Sequence, residues 1–76
     1  LRIFLTRTND YAEDVRRMRE LLAVLSSASG KDRFTFYVPN PQGIVQLDFP
    51  NHSTSYNQVQ HTLNELMREW GRLEVL

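Results

Sequence analysis

Residues 33–49 read RFTFYVPNPQGIVQLDF. Two alternating runs flank a turn. In Arg33–Val38 the side chains of Phe34, Phe36 and Val38 share a face, and in Ile44–Phe49 those of Val45, Leu47 and Phe49 do the same. Alternation over about six residues, in β-branched and aromatic types, is the period of a half-buried strand. Between the runs, residues 39–43 (PNPQG) gather prolines, Asn and Gly, the types that pre-set or tolerate turn geometry. The pair reads as a β-hairpin whose five-residue link is wider than the minimal two-residue turn. A lone hairpin is marginal in water, so its apolar face needs a partner layer.

The flanking sequence supplies one. Upstream, LRIFLT at 1–6 alternates, with Leu1, Ile3 and Leu5 on one face and Arg2, Phe4 and Thr6 on the other. Asp10 suits an N-cap, with Glu13 three residues on as in a capping box. Tyr11, Val15, Met18, Leu22 and Leu25 then recur at helical spacing, predicting one apolar stripe. Glu13 and Arg17 make a supporting i,i+4 pair on the solvent side. SSASG at 26–30 stops the helix, with Gly30 suited to a left-handed cap. Downstream, PNHST at 50–54 is a loop, and Ser55 with Gln58 forms a second capping-box pattern. Tyr56, Val59, Leu63, Leu66 and Trp70 make the second stripe, Gly71 stops it, and RLEVL at 72–76 alternates with Leu73 and Val75 inward. The order β-α-β-β-α-β predicts an α+β two-layer sandwich: a four-stranded sheet with two helices on one face, ferredoxin-like or a close variant in strand order.

Length and charge bound the function. Seventy-six residues make one domain, 1–76, expected to be the C-terminal piece of a longer chain. A domain this small buries only about 60% of its unfolded surface. Nine basic side chains balance nine acidic ones, which weighs against a phosphate-tracking module. The cancellation is uneven: residues 1–33 hold seven cations against five anions, and residues 34–76 two against four. From Phe34 to Asn64 the only formal charge is Asp48. There is no Cys, so disulfides, zinc thiolates and cysteine nucleophiles are absent. No apolar run approaches a membrane span.

Each grouping with chemical potential has a plainer reading. Glu13–Asp14 and Glu65–Glu69 lie beside arginines on exposed helix faces, without the burial that tunes an acid or base. Asp48, His52 and Ser53 fall in a strand end and a polar loop, where such residues serve turns. Asp48, His52 and His61 lack metal-ligand spacing. Asn51-His52-Ser53 is a glycosylation sequon without a secretory context. Gly30, Gly43 and Gly71 are isolated, so no phosphate-cradling loop exists. No catalytic residue, metal or cofactor is expected. With both helices on one face, Phe4, Tyr37 and Ile44 lie on the other, and apolar residues on an open sheet face mark a contact surface. These three, with Asn40 and Gln42 in the hairpin link, are the expected partner-binding residues.

One resemblance spans nearly the whole chain. RIFLT at 2–6, VRRMRELL at 15–22, the break at Gly30, FTFYV at 34–38, GIVQL at 43–47, LNEL at 63–66 and GRLEV at 71–75 are together similar to the C-terminal domain of the bacterial DNA polymerase III alpha subunit. The resemblance implies a non-catalytic, cytoplasmic module that tethers the replicative polymerase to the tau subunit of the clamp loader. It also implies that DNA is contacted by other domains of the parent chain, a DNA-directed DNA polymerase. Two alternatives share the topology. An RNA-recognition-type domain would stack bases on sheet aromatics such as Phe4, although GIVQLDF at 43–49 carries neither its basic residue nor its alternating aromatics. A small-ligand regulatory domain would be dimeric, with a metabolite between subunits.

Overall fold

The computed structural model describes residues 1–76 as a four-stranded mixed sheet with two helices. The elements are β1 (Arg2–Leu5), α1 (Tyr11–Ser26), β2 (Thr35–Asn40), β3 (Gly43–Asp48), α2 (Tyr56–Trp70) and β4 (Gly71–Glu74). The order across the sheet is β3-β2-β1-β4. β1 and β2 are parallel neighbours joined by the α1 crossover, with Ile3 beside Phe36 and Phe4 beside Tyr37. β3 pairs antiparallel with β2, and β4 antiparallel with β1. This is the α+β two-layer architecture expected from sequence, in the close-variant order. β2 sits directly beside β1, where the split β-α-β arrangement would insert β3.

The core forms where the two layers meet. Ile3 and Leu5 from β1, Phe34 and Phe36 around the start of β2, Leu21 and Leu25 from α1, and Val59, Leu63, Met67 and Trp70 from α2 are all buried. Burying an aliphatic or aromatic side chain contributes about 1.5–3 kcal/mol against exposure, so these few residues provide most of the driving force. Arg16 and Arg17 approach the Trp70 ring at 5.7 and 5.4 Å from its centroid, roofing the α1–α2 contact.

Local chemistry differs from the sequence expectation at five places. The hairpin is tighter than predicted: Asn40 pairs with Gly43, leaving only Pro41 and Gln42 as the turn. Asn40 Oδ1 accepts the Gln42 N–H at 2.8 Å, an Asx turn that closes the link and lets both strands extend inward. Gly30 is not a left-handed cap, since α1 ends at Ser26 with Ser27 as C-cap and only Gly43 and Gly71 have positive φ. It is a close-approach residue: a Cβ there would lie 2.4 Å from the Thr54 carbonyl oxygen. Ser55 makes no side-chain cap bond. The Asp32 carboxylate instead accepts the Tyr56 N–H at 2.9 Å, while Asp32 and Thr54 exchange backbone hydrogen bonds. The capping box at Asp10 is half formed. Asp10 accepts from Ala12 and Glu13 N–H, but the Glu13 carboxylate turns to Arg16 and Arg17, each at 2.8 Å. Finally, β4 ends at Glu74, and Val75 is 54% exposed rather than inward.

α2 passes into β4 without a loop, Trp70 ending one and Gly71 opening the other. Gly71 has φ 154° and ψ −139°, and a Cβ there would lie 1.9 Å from the Phe4 carbonyl oxygen. Only glycine meets both demands.

Candidate functional site

The expected partner-binding residues divide between two places. On the open sheet face, the register lines up Arg72, Phe4, Tyr37 and Gln46 as one row across β4, β1, β2 and β3. The Phe4 and Tyr37 rings stack at 4.7 Å with 13° between planes. The Arg72 guanidinium lies 4.2 Å from the Phe4 centroid. Because β2 and β4 flank β1 on opposite sides, Phe4 has a neighbour on each ring face, which leaves neither free for a stacked base. The adjoining row is polar and internally paired: Arg2 with Glu74 at 3.8 Å, and Thr35 donating to Asp48 at 3.1 Å. Ile44 shares this face at the hairpin end, beside Pro39, and is 67% exposed.

Asn40 and Gln42 stand apart from that trio. Gln42 is at the exposed turn tip, and the Asn40 side chain is committed to the turn. By strand alternation Asn40 belongs with Phe36 and Val38 on the helix side of the sheet. The five residues therefore do not make one patch.

A second surface lies on that helix side. α2 packs against β4 and α1, so the helical layer is shifted toward the β4 end. The inner face of β3 is covered only in part: Leu47 packs against the core, whereas Val45 is 39% exposed. The result is an apolar groove of about 730 Å³ between α1 and the β2–β3 hairpin. One wall is Tyr11, Val15, Met18 and Leu22 of α1; the floor includes Val38, Val45 and Leu47. Tyr11 is 77% exposed and Val45 39% exposed. Of the α1 stripe read from its spacing, Leu25 is buried, Met18 and Leu22 pack against the core while also lining the groove, and Tyr11 and Val15 form the outer part of the groove wall. The buried positions of the same helix are Leu21 and Leu25, with Ala28 beyond its end. The signal for this was present: Leu21 and Leu22 are about 100° apart on the helix, so α1 carries more apolar arc than one layer contact requires.

Polar groups at the groove are mostly engaged. Asp14 Oδ1 accepts from the Thr8 N–H at 2.9 Å and the Thr8 hydroxyl at 2.8 Å, whereas its Oδ2 is buried without a hydrogen-bond partner, 3.8 Å from Arg7 Nε. The Thr8 backbone N–H and then its hydroxyl hold the Asp14 carboxyl below its ordinary pKa. Arg7 also donates to the Pro39 carbonyl, and Asp48 accepts from Thr35 and Gln46. Arg19, exposed on the α1 rim, has no ion-pair partner. No cluster of three or more His, Asp or Glu side chains is arranged to hold a metal ion. No helix is long and apolar enough to cross a membrane.

Comparison of the chain with protein families, curated proteins and solved structures finds no match.

Proposed function

We propose that the chain is a non-catalytic interaction module, and that it serves as the C-terminal module of a bacterial replicative DNA polymerase alpha subunit, tethering the polymerase to the tau subunit of the clamp loader. The observation that supports contact with a protein is the groove between α1 and β3. A chain of 76 residues has few apolar side chains to spend, yet it leaves Tyr11 and Val45 substantially exposed beside an unpaired strand edge. Exposed apolar surface next to a free edge marks a binding face. The polymerase context rests on the sequence resemblance. Tethering then acts by raising the local concentration of polymerase where the clamp loader sits, without any chemistry in this module.

Calorimetric titration of the chain with the C-terminal region of tau tests the reading. Saturable one-to-one binding is expected. A folded chain that yields no heat and no complex with tau overturns it.

A further inference from the structure

We propose that the domain pairs with a second copy of itself through the free edge of β3, antiparallel and centred on Gln46, so that two four-stranded sheets join into one. The inference goes beyond the tether, because it concerns contact between copies of this chain.

The first observation is which backbone groups the edge leaves free. In an antiparallel ladder, alternate residues turn both N–H and C=O to one side and then to the other. The two-residue turn makes Asn40 and Gly43 a hydrogen-bonded pair. Val38–Val45 and Phe36–Leu47 are then bonded pairs as well, and the pairs between them are not. Two bonds fix the same phase independently. The Thr35 N–H donates to the Leu1 carbonyl at 3.0 Å, and the Pro39 carbonyl accepts from Arg7 at 3.4 Å, so both residues turn their backbone toward the β1 side and away from β3. Their partners Asp48 and Ile44, with Gln46 between them, therefore direct N–H and C=O outward. No loop backbone group satisfies them.

The second observation is that this row is its own complement. About a twofold axis at Gln46, Gln46 faces Gln46, and Ile44 and Asp48 face each other twice: three hydrogen-bonded pairs, two bonds each. Between these pairs Val45 stands opposite Leu47 of the second copy at the closer, non-hydrogen-bonded spacing of about 4.5 Å, on the helix side of the sheet. Val45, 39% exposed, gains an apolar neighbour there. Asp48 is the only charge on β3. It comes opposite Ile44 and stays four residues, about 13 Å, from the other Asp48. A slip of two residues loses one of the three pairs, and a slip of one brings helix-side residues opposite open-face ones.

The edge also lacks what keeps edges single. β3 has no Pro and no Lys, and its register with β2 runs without a bulge from Gly43 to Asp48. The axis stands perpendicular to the sheet, so both helical layers lie on one face. Each is shifted toward its own β4, which leaves room between them. A foreign strand would meet the same amides. The chain itself supplies the matching length, the Val45–Leu47 pairs and the spacing of Asp48.

The test follows the 76-residue chain from micromolar to millimolar concentration by sedimentation and by amide hydrogen exchange. The mass is expected to double. Exchange at Ile44, Gln46 and Asp48 is expected to slow about ten-fold with it, while Val45 and Leu47, already bonded to β2, change little. Gln46→Pro removes the central N–H, which the single copy does not use and whose loss an edge strand tolerates. That variant is expected to stay folded and monomeric. Gln46→Glu sets two carboxylates opposite each other on the axis and is expected to weaken pairing about five-fold, with recovery in salt; it decides the matter where Gln46→Pro fails to fold. The proposal is overturned by a chain that stays monomeric at millimolar concentration, by a dimer whose protection falls on β4 or on Phe4 and Tyr37, or by a dimer that neither substitution weakens. It is also overturned if those three amides are protected only on adding an extended peptide alternating Val and Thr, which assigns the edge to a foreign strand.

Discussion

At the scale of single residues, Glu13 and Gly71 show how little room the chain has for substitution. Glu13 receives Arg16 first and Arg17 second, each at 2.8 Å, which lowers its carboxyl pKa from 4.5 to about 2. A carboxyl depressed in the folded state contributes stability that is fully present above its unfolded value and is lost as pH falls through the folded one. The Tm difference between the parent chain and Glu13→Gln is therefore expected to be positive at neutral pH, to shrink below pH 4.5 and to vanish near pH 2. A difference that persists unchanged into acid would show that the pairs to Arg16 and Arg17 contribute nothing to folding. Gly71 makes a harsher prediction. Its backbone lies in a region that costs a side-chain-bearing residue about 1–3 kcal/mol, and the Phe4 carbonyl occupies the space of a Cβ. Gly71→Ala is expected to lower the urea midpoint by the equivalent of about 3 kcal/mol. An unchanged midpoint would mean that β4 does not join the sheet as described. Both glycine and glutamate were visible from spacing alone, Gly71 as a stop signal and Glu13 as a partner for Arg17. The closeness of Phe4 to Gly71 was not visible, because the two stand 67 positions apart in the chain.

At the scale of elements, the helices show what periodicity can and cannot assign. Both stripes correctly marked helices, since a 3.6-residue period is a property of one element alone. Which arc is buried depends on the neighbour: on α1, Leu21 and Leu25 are buried in the core, Tyr11 and Val15 line the groove, and Met18 and Leu22 touch both. On α2, Met67 joins the core while Leu66 is only partly buried, again a rotation set by packing. Caps divide in the same way. Asp10 acts locally and was legible; the α2 cap comes from Asp32, 24 residues from the Tyr56 N–H that it accepts. Asp32→Ala is expected to cost about 1 kcal/mol, the typical worth of an N-cap, and Ser55→Ala close to nothing, because Ser55 makes no cap bond. Amide hydrogen exchange at the start of α2 reads the difference: faster exchange in Ser55→Ala than in Asp32→Ala would reverse the assignment.

At the scale of the whole molecule, the order of elements was readable and their arrangement only in outline. Six elements in the order β-α-β-β-α-β and one face covered by helices follow from patterning. Whether β2 or β3 lies beside β1 depends on long-range pairing, which no local period encodes. Here Ile3 meets Phe36 and Phe4 meets Tyr37, in a parallel register. The open-face trio Phe4, Tyr37 and Ile44 was correctly placed by alternation, yet two of its members are engaged with each other and with Arg72. The groove was missed because its wall reads as core when α1 is viewed alone.

The sheet's two borders are unlike. β4 is four residues long and carries Arg72 and Glu74, the usual means of blunting an edge. β3 is six residues long, with Asp48 its only charge. A molecule with one adhesive border and one guarded border cannot stack end to end without limit: two copies that meet through β3 present only guarded borders outward. Where copies do associate through their sheet borders, the contact closes at a pair, and growth into fibres has no second step.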